Sequence, residues 1–331
     1  MTAPDRASAA GHPPGTTPDV AQVAALAQSA ARHWPQITAA PVLYMQRENV
    51  VFRVETSLGP HALRLHRPGY HAAARLQSEL DLMAMLAGAG MQVPRPVATP
   101  EGGYLVSAGD RQASLLAWLP GLPMGRSGQP LAQSGPARTR LFAAIGAQMA
   151  RMHHLCDAWT TPPGFDRPAW DIDGLLGEAP FWGRFWQCGT AAEQAQLMQV
   201  RGRALALLQG AGLDYGVIHA DLVNENVLVA GPEVHFIDFD DSGFGYRLFD
   251  IATTLYKAVD EPDFAALQSA LLQGYASQRP LPDLTLLPLF IVLRSLTYLG
   301  WIAARIDEPG MPAKATAYLA LALRLATKYL P

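Results

Sequence analysis

Four side chains between residues 217 and 256 have types and spacing suited to one kind of chemistry: His219 and Asp221 in the run His219-Ala220-Asp221-Leu222, then Asn226, then Asp238 after an apolar run. Phosphoryl transfer needs a carboxylate beside the acceptor hydroxyl and oxygen ligands that hold a divalent cation on the phosphates. In this pattern Asp221 would orient and deprotonate the hydroxyl. The carbonyl of Asn226 and the carboxylate of Asp238 would bind Mg2+, a hard cation that prefers such oxygens and keeps several waters. Any one of these residues alone reads equally well as a turn residue or a strand end. The ordered set of HxD, Asn, hairpin and apolar-Asp carries the signal.

The elements around them agree. Residues 215–219 are a short apolar run leading into the loop. Residues 227–229 and 234–237 are rich in β-branched residues and separated by Ala230-Gly231-Pro232, the composition of a hairpin turn. Asn226 and Asp238 then fall at ends of one hairpin, where two ligands can converge.

With those residues the segment resembles the catalytic core of the aminoglycoside phosphotransferase and choline kinase superfamily. The run 237–241 through Gly245 and 249–252 is most similar to homoserine kinase-like and stress response kinase-like proteins, and the similarity covers residues from about 40 to 325. The resemblance implies an α+β, bilobal protein-kinase-like fold, with a small antiparallel-sheet N-lobe and a larger, mainly helical C-lobe. It implies ATP and Mg2+ as cofactors and a kinase that phosphorylates a hydroxyl of a small molecule such as an amino alcohol, homoserine, choline or an aminoglycoside. The alternatives are a protein serine/threonine kinase of the stress response type and a non-catalytic nucleotide-binding regulator. The first has no APE-like segment after Asp238 to support it, and the intact Asp221, Asn226 and Asp238 oppose the second.

The expected organisation is a disordered tail over 1–18, an N-lobe over 19–121, a linker over 122–136 and a C-lobe over 137–331. Residues 19–34 have helical periodicity, and 42–46, 50–56 and 61–66 read as strands, with residues 57–60 as the turn between the last two. The loop Gln46-Arg47-Glu48-Asn49 replaces a glycine-rich loop. Alternation puts Leu63 and Leu65 on one face of the third strand and Arg64 on the other. By resemblance Arg64 takes the place of the phosphate-binding lysine. Glu79 lies within the apolar stripe Leu76, Leu80, Met83 and Leu86 of the next helix, where a carboxylate needs a partner, and Arg64 is the natural one. Residues 103–106 and 113–119 read as the last two strands. By resemblance Ala117 and Leu119 are hinge residues whose backbone groups bond adenine.

From residue 138 onward the pattern is helical, with His153-His154 read as helix-end residues and Asp250 as the N-cap of a helix starting at Ile251. The resemblance adds that Asp250 braces the catalytic loop. The acceptor is not written in any motif. Arg294, alone among apolar helical positions, is a candidate to bind an anionic group of the acceptor, or else an internal ion-pair member. Asp241 could hold a cationic acceptor, and Asp240 could add to the metal shell. Trp301, with the aromatic cluster over 170–186, could cage a quaternary amine, although a packed core is the more ordinary reading. A net charge of −3 provides no drive toward nucleic acid or anionic lipid, and two cysteines make no disulfide framework. The sequence has no apolar run long enough to span a bilayer and no signal-peptide start, so a cytoplasmic location with no membrane partner is expected.

Overall fold

A computed structural model describes residues 19–46, 49–126, 129, 131 and 133–330. The expected tail, Arg47 and Glu48 of the first loop and part of the expected linker lie outside the described residues. Helix α1 (Val20–Ala31) precedes β1 (Val42–Gln46), β2 (Val50–Thr56) and β3 (Gly59–Leu65), and α2 (Ala73–Gly88) leads to β4 (Val106–Ala108) and β5 (Arg111–Ala117). These five strands form one antiparallel sheet in the order β1-β2-β3-β5-β4. The first of the two late strands falls at 106–108 rather than 103–106. Gly109, with φ +62°, and Asp110 make the tight turn between β4 and β5, and Gly102, with φ +92°, lies in the preceding loop.

The second lobe continues with β6 (Leu122–Pro123), α3 (Gly135–Asp157), β7 (Ala169–Trp170), α4 (Ile172–Leu176) and α5 (Ala191–Leu208). Then come β8 (Tyr215–Ile218), β9 (Val227–Ala230), β10 (Glu233–Phe236), β11 (Gly243–Tyr246), α6 (Arg247–Tyr256), α7 (Phe264–Ala276), α8 (Leu287–Ala303) and α9 (Met311–Tyr329). This is the bilobal kinase-like α+β architecture expected from the sequence. The hairpin β9–β10 turns at Gly231-Pro232 as anticipated. The two-residue strands β6, paired with β9, and β7, paired with β11, leave no trace in the sequence pattern, because two residues are too few to carry a period.

Two cores hold the lobes. The smaller joins Val23, Ala27 and Trp34 to Phe52, Leu63, Leu65 and Leu115. In the larger, Leu80, Met83 and Leu86 of α2 share one cluster with Ile145 and Met149 of α3 and Phe249 of α6. Fully burying each such side chain contributes about 1.5–3 kcal/mol, so α2 is fastened to the helical lobe through this shared cluster. Helices α3 and α7 touch backbone to backbone: a Cβ on Gly146 would lie 1.9 Å from Leu271 O, and one on Gly274 the same distance from Ala143 O. Among the described residues no helix is long and apolar enough to cross a membrane.

Candidate active site

The loop after β8 carries Asp221, and a buried carboxylate shapes it from beneath. Asp250 Oδ2 accepts from His219 N at 2.9 Å and from His153 Nε2 at 3.0 Å, and Oδ1 accepts from Ala220 N at 2.7 Å. Between them Ala220 has φ +66°, a left-handed conformation that costs a residue with a Cβ about 1–2 kcal/mol. Two hydrogen bonds to a charged acceptor offset that strain. Asp250 is not the N-cap expected from the sequence: α6 begins at Arg247, after Tyr246, so Asp250 lies inside the first turn. His153 is likewise no helix-end residue. It is fully buried, linking Asp250 to Tyr275 Oη at 2.9 Å. Burial lowers its pKa to about 4, against the opposing pull of Asp250, so it is neutral near pH 7.

His219 is also driven toward neutrality by burial. One tautomer satisfies its surroundings, with Nε2 donating to Ile237 O at 3.1 Å and Nδ1 accepting from Asp221 N at 3.4 Å. Both carboxylate oxygens of Asp221 have partners. Oδ1 accepts from Arg294 Nη2 at 2.5 Å and Oδ2 from Asn226 Nδ2 at 2.9 Å. Each oxygen keeps a second lone pair for an incoming hydroxyl. Asn226 Nδ2 also donates to Asp221 O at 2.9 Å. These bonds use the amide nitrogen and leave the amide oxygen for a cation.

Arg64 and Glu79 meet as expected, Nη1 to Oε1 at 2.7 Å, with the Glu79 side chain fully enclosed. The other end of Arg64 reaches Asp240 Oδ1 at 3.0 Å and stands 3.8 Å from Asp238 Oδ1. Burial works to raise the Asp240 carboxyl, but Arg64, His71 and Arg167 hold it below the ordinary carboxylate range. Asp240 is thus committed to Arg64, and Asp238 is the open carboxylate, with 52% of its side-chain surface exposed. Asp238 has φ +65°. Partial desolvation at the cleft wall raises its carboxyl to about 7, with Arg64 opposing the shift and the nearby Asp240, Glu79 and Asp221 charges adding to it.

Among the described residues no group of three or more His, Cys, Asp and Glu side chains could hold a metal alone. What is present is an open carboxylate and an amide oxygen beside crowded negative charge. That set fits a divalent cation bound through one or two protein oxygens and completed by phosphates and water.

The loop bearing these carboxylates is clamped by a residue absent from the sequence reading. Arg167 donates to Ser242 O at 2.6 Å, Phe239 O at 2.9 Å, Asp240 O at 2.5 Å and, on α2, Arg75 O at 3.0 Å. No short motif marks an arginine whose partners are all main-chain carbonyls.

Three of the candidate site residues are already engaged within the fold. Arg294 presents no free cation to an acceptor. It is fully buried, paired with Asp221 and lying over Trp182 at 4.7 Å, Phe249 at 5.7 Å and Tyr298 at 4.5 Å. A guanidinium in such surroundings needs a carboxylate, and the nearest is the candidate base. The cation in the aromatic cage is the protein's own. Trp301 stacks on Arg305 at 4.3 Å, and among the described residues no ring contact ties it to the Trp170 cluster. At the hinge, the Ala117 amide already donates to Arg95 O at 2.8 Å, because residues 95–97 run beside β5; Leu119 remains half-buried just before Pro120-Gly121. Asp241 stays at the site, its Oδ1 accepting from Trp182 Nε1 at 3.2 Å.

Residues 44–285 match the model of the APH phosphotransferase enzyme family. The chain belongs to this family. It is a phosphotransferase with an alcohol group as acceptor. An uncharacterized protein of Deinococcus radiodurans is 30% identical over 308 residues, covering 87% of this chain and 85% of its own. A homoserine kinase of Gluconobacter oxydans is 31% identical over 245 residues, covering 71% and 72%. Among solved structures, a microcompartment-associated aminopropanol kinase superposes with a TM-score of 0.78 at 30% identity, covering 92% of this phosphotransferase and 96% of that chain. An amicoumacin kinase solved with AMP-PNP and Ca2+ shares the fold, at TM-score 0.74 and 22% identity over 95% of each chain.

Proposed function

We propose that this phosphotransferase moves the γ-phosphoryl group of ATP, with Mg2+, onto the hydroxyl of a small amine-bearing alcohol. The observation that carries the proposal is the pairing of a base with an open metal ligand. Asp221 is fixed at both oxygens by Arg294 and Asn226, while Asp238 stands exposed beside Arg64. The bound cation would neutralise charge on the phosphates. Arg64, held by Glu79, would contact the same phosphates, and Leu119 would contribute a backbone group to the adenine edge. Asp221 would accept the hydroxyl proton as the bond to phosphorus forms, with Arg294 stabilising its ionised form before transfer. Catalysis is then mainly positioning and electrostatic stabilisation.

The amine is inferred from the wall next to the base. Asp241 and the half-buried rings of Trp182 and Tyr298 supply a carboxylate and aromatic faces, the surroundings an ammonium group favours. Homoserine kinase and aminopropanol kinase, both similar to this chain, are named for acceptors that bear an amine beside a hydroxyl. The test is ADP formation with Mg-ATP over a panel of amino alcohols, choline, hydroxy amino acids and amine-free alcohols, with phosphorus NMR of the product. Acceptor-dependent ADP and a new phosphomonoester are expected only with amines. ADP release indifferent to the acceptor would refute the proposal.

A further inference from the structure

The loop that follows α4 carries Trp182 onto α8 and meets that helix backbone to backbone. A Cβ on Gly300 would lie 2.5 Å from Gly183 O and 2.8 Å from Trp182 O. Gly183 has φ +105°, and a Cβ there would lie 3.0 Å from Gly300 O. Each glycine thus requires the other, and a side chain at either position displaces main chain. Glycine inside a helix is less favourable than alanine, and Gly300, buried in α8, permits a close approach that alanine forbids. The loop is fastened on both sides of the contact: Phe181 N donates to Gly174 O at 2.8 Å, and Phe185 is buried in the core of the helical lobe.

This contact fixes the height of Trp182 above α8. Its ring lies over the Arg294 guanidinium at 4.7 Å, 6.0 Å from the Tyr298 ring, and meets Trp170 edge-on at 5.5 Å. Its Nε1 donates to Asp241 Oδ1 at 3.2 Å, while Asp241 O accepts from Trp170 Nε1 at 2.8 Å. Ring and carboxylate are therefore held together as one wall. Trp182 and Asp241 are half-buried, whereas Arg294 and Trp170 behind them are fully enclosed. An ammonium group held at Asp241 has the Trp182 ring as its boundary, and a close-packed backbone contact gives that boundary little room to yield.

We propose that Gly300 and Gly183 are positioning residues for Trp182, and that their backbone contact sets the size limit of the acceptor subsite by limiting the bulk on the acceptor's amine. This rests on the phosphotransfer reading above and names the residues that bound its acceptor.

Gly300→Ala would put a methyl group 2.5 Å from Gly183 O, and restoring ordinary contact moves the loop and Trp182 outward by roughly 1 Å. The probes are the amino alcohol of the panel that binds best and its N-methyl and N,N-dimethyl derivatives, which keep the positive charge and add bulk. The parent protein should lose about ten-fold or more in kcat/KM with each methyl group, the scale on which a close-fitting pocket rejects one carbon too many. Gly300→Ala should reduce each loss to about three-fold or less through the acceptor KM, with affinity for Mg-AMP-PNP unchanged within about three-fold. Trp182→Ala removes the ring and leaves both glycines in place. It should flatten the series in the same way, and it decides the matter if Gly300→Ala does not fold. Calorimetry of the three amines with Mg-AMP-PNP present reads the size limit without turnover. A limit that the variants relax, without phosphoryl transfer to any acceptor, would sustain this assignment and defeat the phosphotransfer reading. A parent protein that is indifferent to N-methylation, or that binds none of the amines, would overturn it. So would a Gly300→Ala protein that melts lower while the series keeps its slope, which would leave the glycine contact a matter of packing alone.

Discussion

Replacing Asp250 by asparagine isolates what the buried carboxylate does for the catalytic loop. Asp250 accepts three hydrogen bonds, from His219 N, Ala220 N and His153 Nε2. An amide of the same shape has one acceptor oxygen, so its NH2 group must face at least one of those donors. One charge-assisted bond is lost, worth about 1.5–3 kcal/mol, and one buried N–H is left unmatched at about 1–3 kcal/mol. Ala220 then holds its left-handed conformation, at about 1–2 kcal/mol, with less to fix it. These effects overlap, and a net loss of about 3 kcal/mol corresponds to a melting temperature lower by roughly 4–5 °C for a chain of this size. As the loop relaxes, Asp221 moves with it, and a shift on the order of 1 Å lowers kcat by about 100-fold. Asp238 and Arg64 have no contact with Asp250, so calorimetric affinity for Mg-ATP should stay within about three-fold. Differential scanning calorimetry, steady-state kinetics and nucleotide titration together read all three quantities. A protein that melts lower while keeping kcat within about three-fold of the parent would refute the brace, since Asp250 would then stabilise the fold without positioning the base.

Arg167→Met removes donors to four carbonyls on the Phe239–Ser242 loop and α2, and should weaken Mg2+-dependent nucleotide affinity by about ten-fold or more. Equal affinity with and without Mg2+ in parent and variant alike would show that the clamp does not serve the metal loop. Asp238→Ala should abolish the Mg2+-dependent part of nucleotide binding, while Asp221→Ala should spare binding and remove turnover; titration with AMP-PNP separates them. His153 has a pKa lowered to about 4 by burial, against an ordinary value near 6.5. The unfolded chain therefore binds more protons between those values, and stability should fall as pH drops from about 6.5 to 4, by up to about 3 kcal/mol. His153→Gln should flatten that slope in thermal melts, and an unaltered slope would assign the titration to another group.

The local motifs were legible because their chemistry is local. The HxD loop, Asn226, the Gly231-Pro232 turn and Asp238 lie within one short stretch, where spacing alone sets which atoms can converge. The Arg64–Glu79 pair is legible for a different reason: a carboxylate on an apolar stripe needs a cation, and the resemblance puts Arg64 in the place of the phosphate-binding lysine. Helix starts were read less well. Aspartate favours the N-cap position, which suggests a cap at Asp250, but its side chain is used across the fold, by two backbone amides and His153, a demand no local propensity records.

The partners of the buried charges are set by packing between elements distant in the chain. From its apolar helix alone Arg294 can be seen to need a counter-charge, but not that the carboxylate is Asp221, 73 residues away along the chain. Arg167 gave no signal at all, because main-chain carbonyls are present at every position and sequence cannot say which are left unbonded. The Ala117 amide is engaged by Arg95 O, through a strand-like neighbour that two prolines disguise. In each case the cause is the same: burial forces polar groups to find partners, and packing of distant elements determines which partners lie within reach.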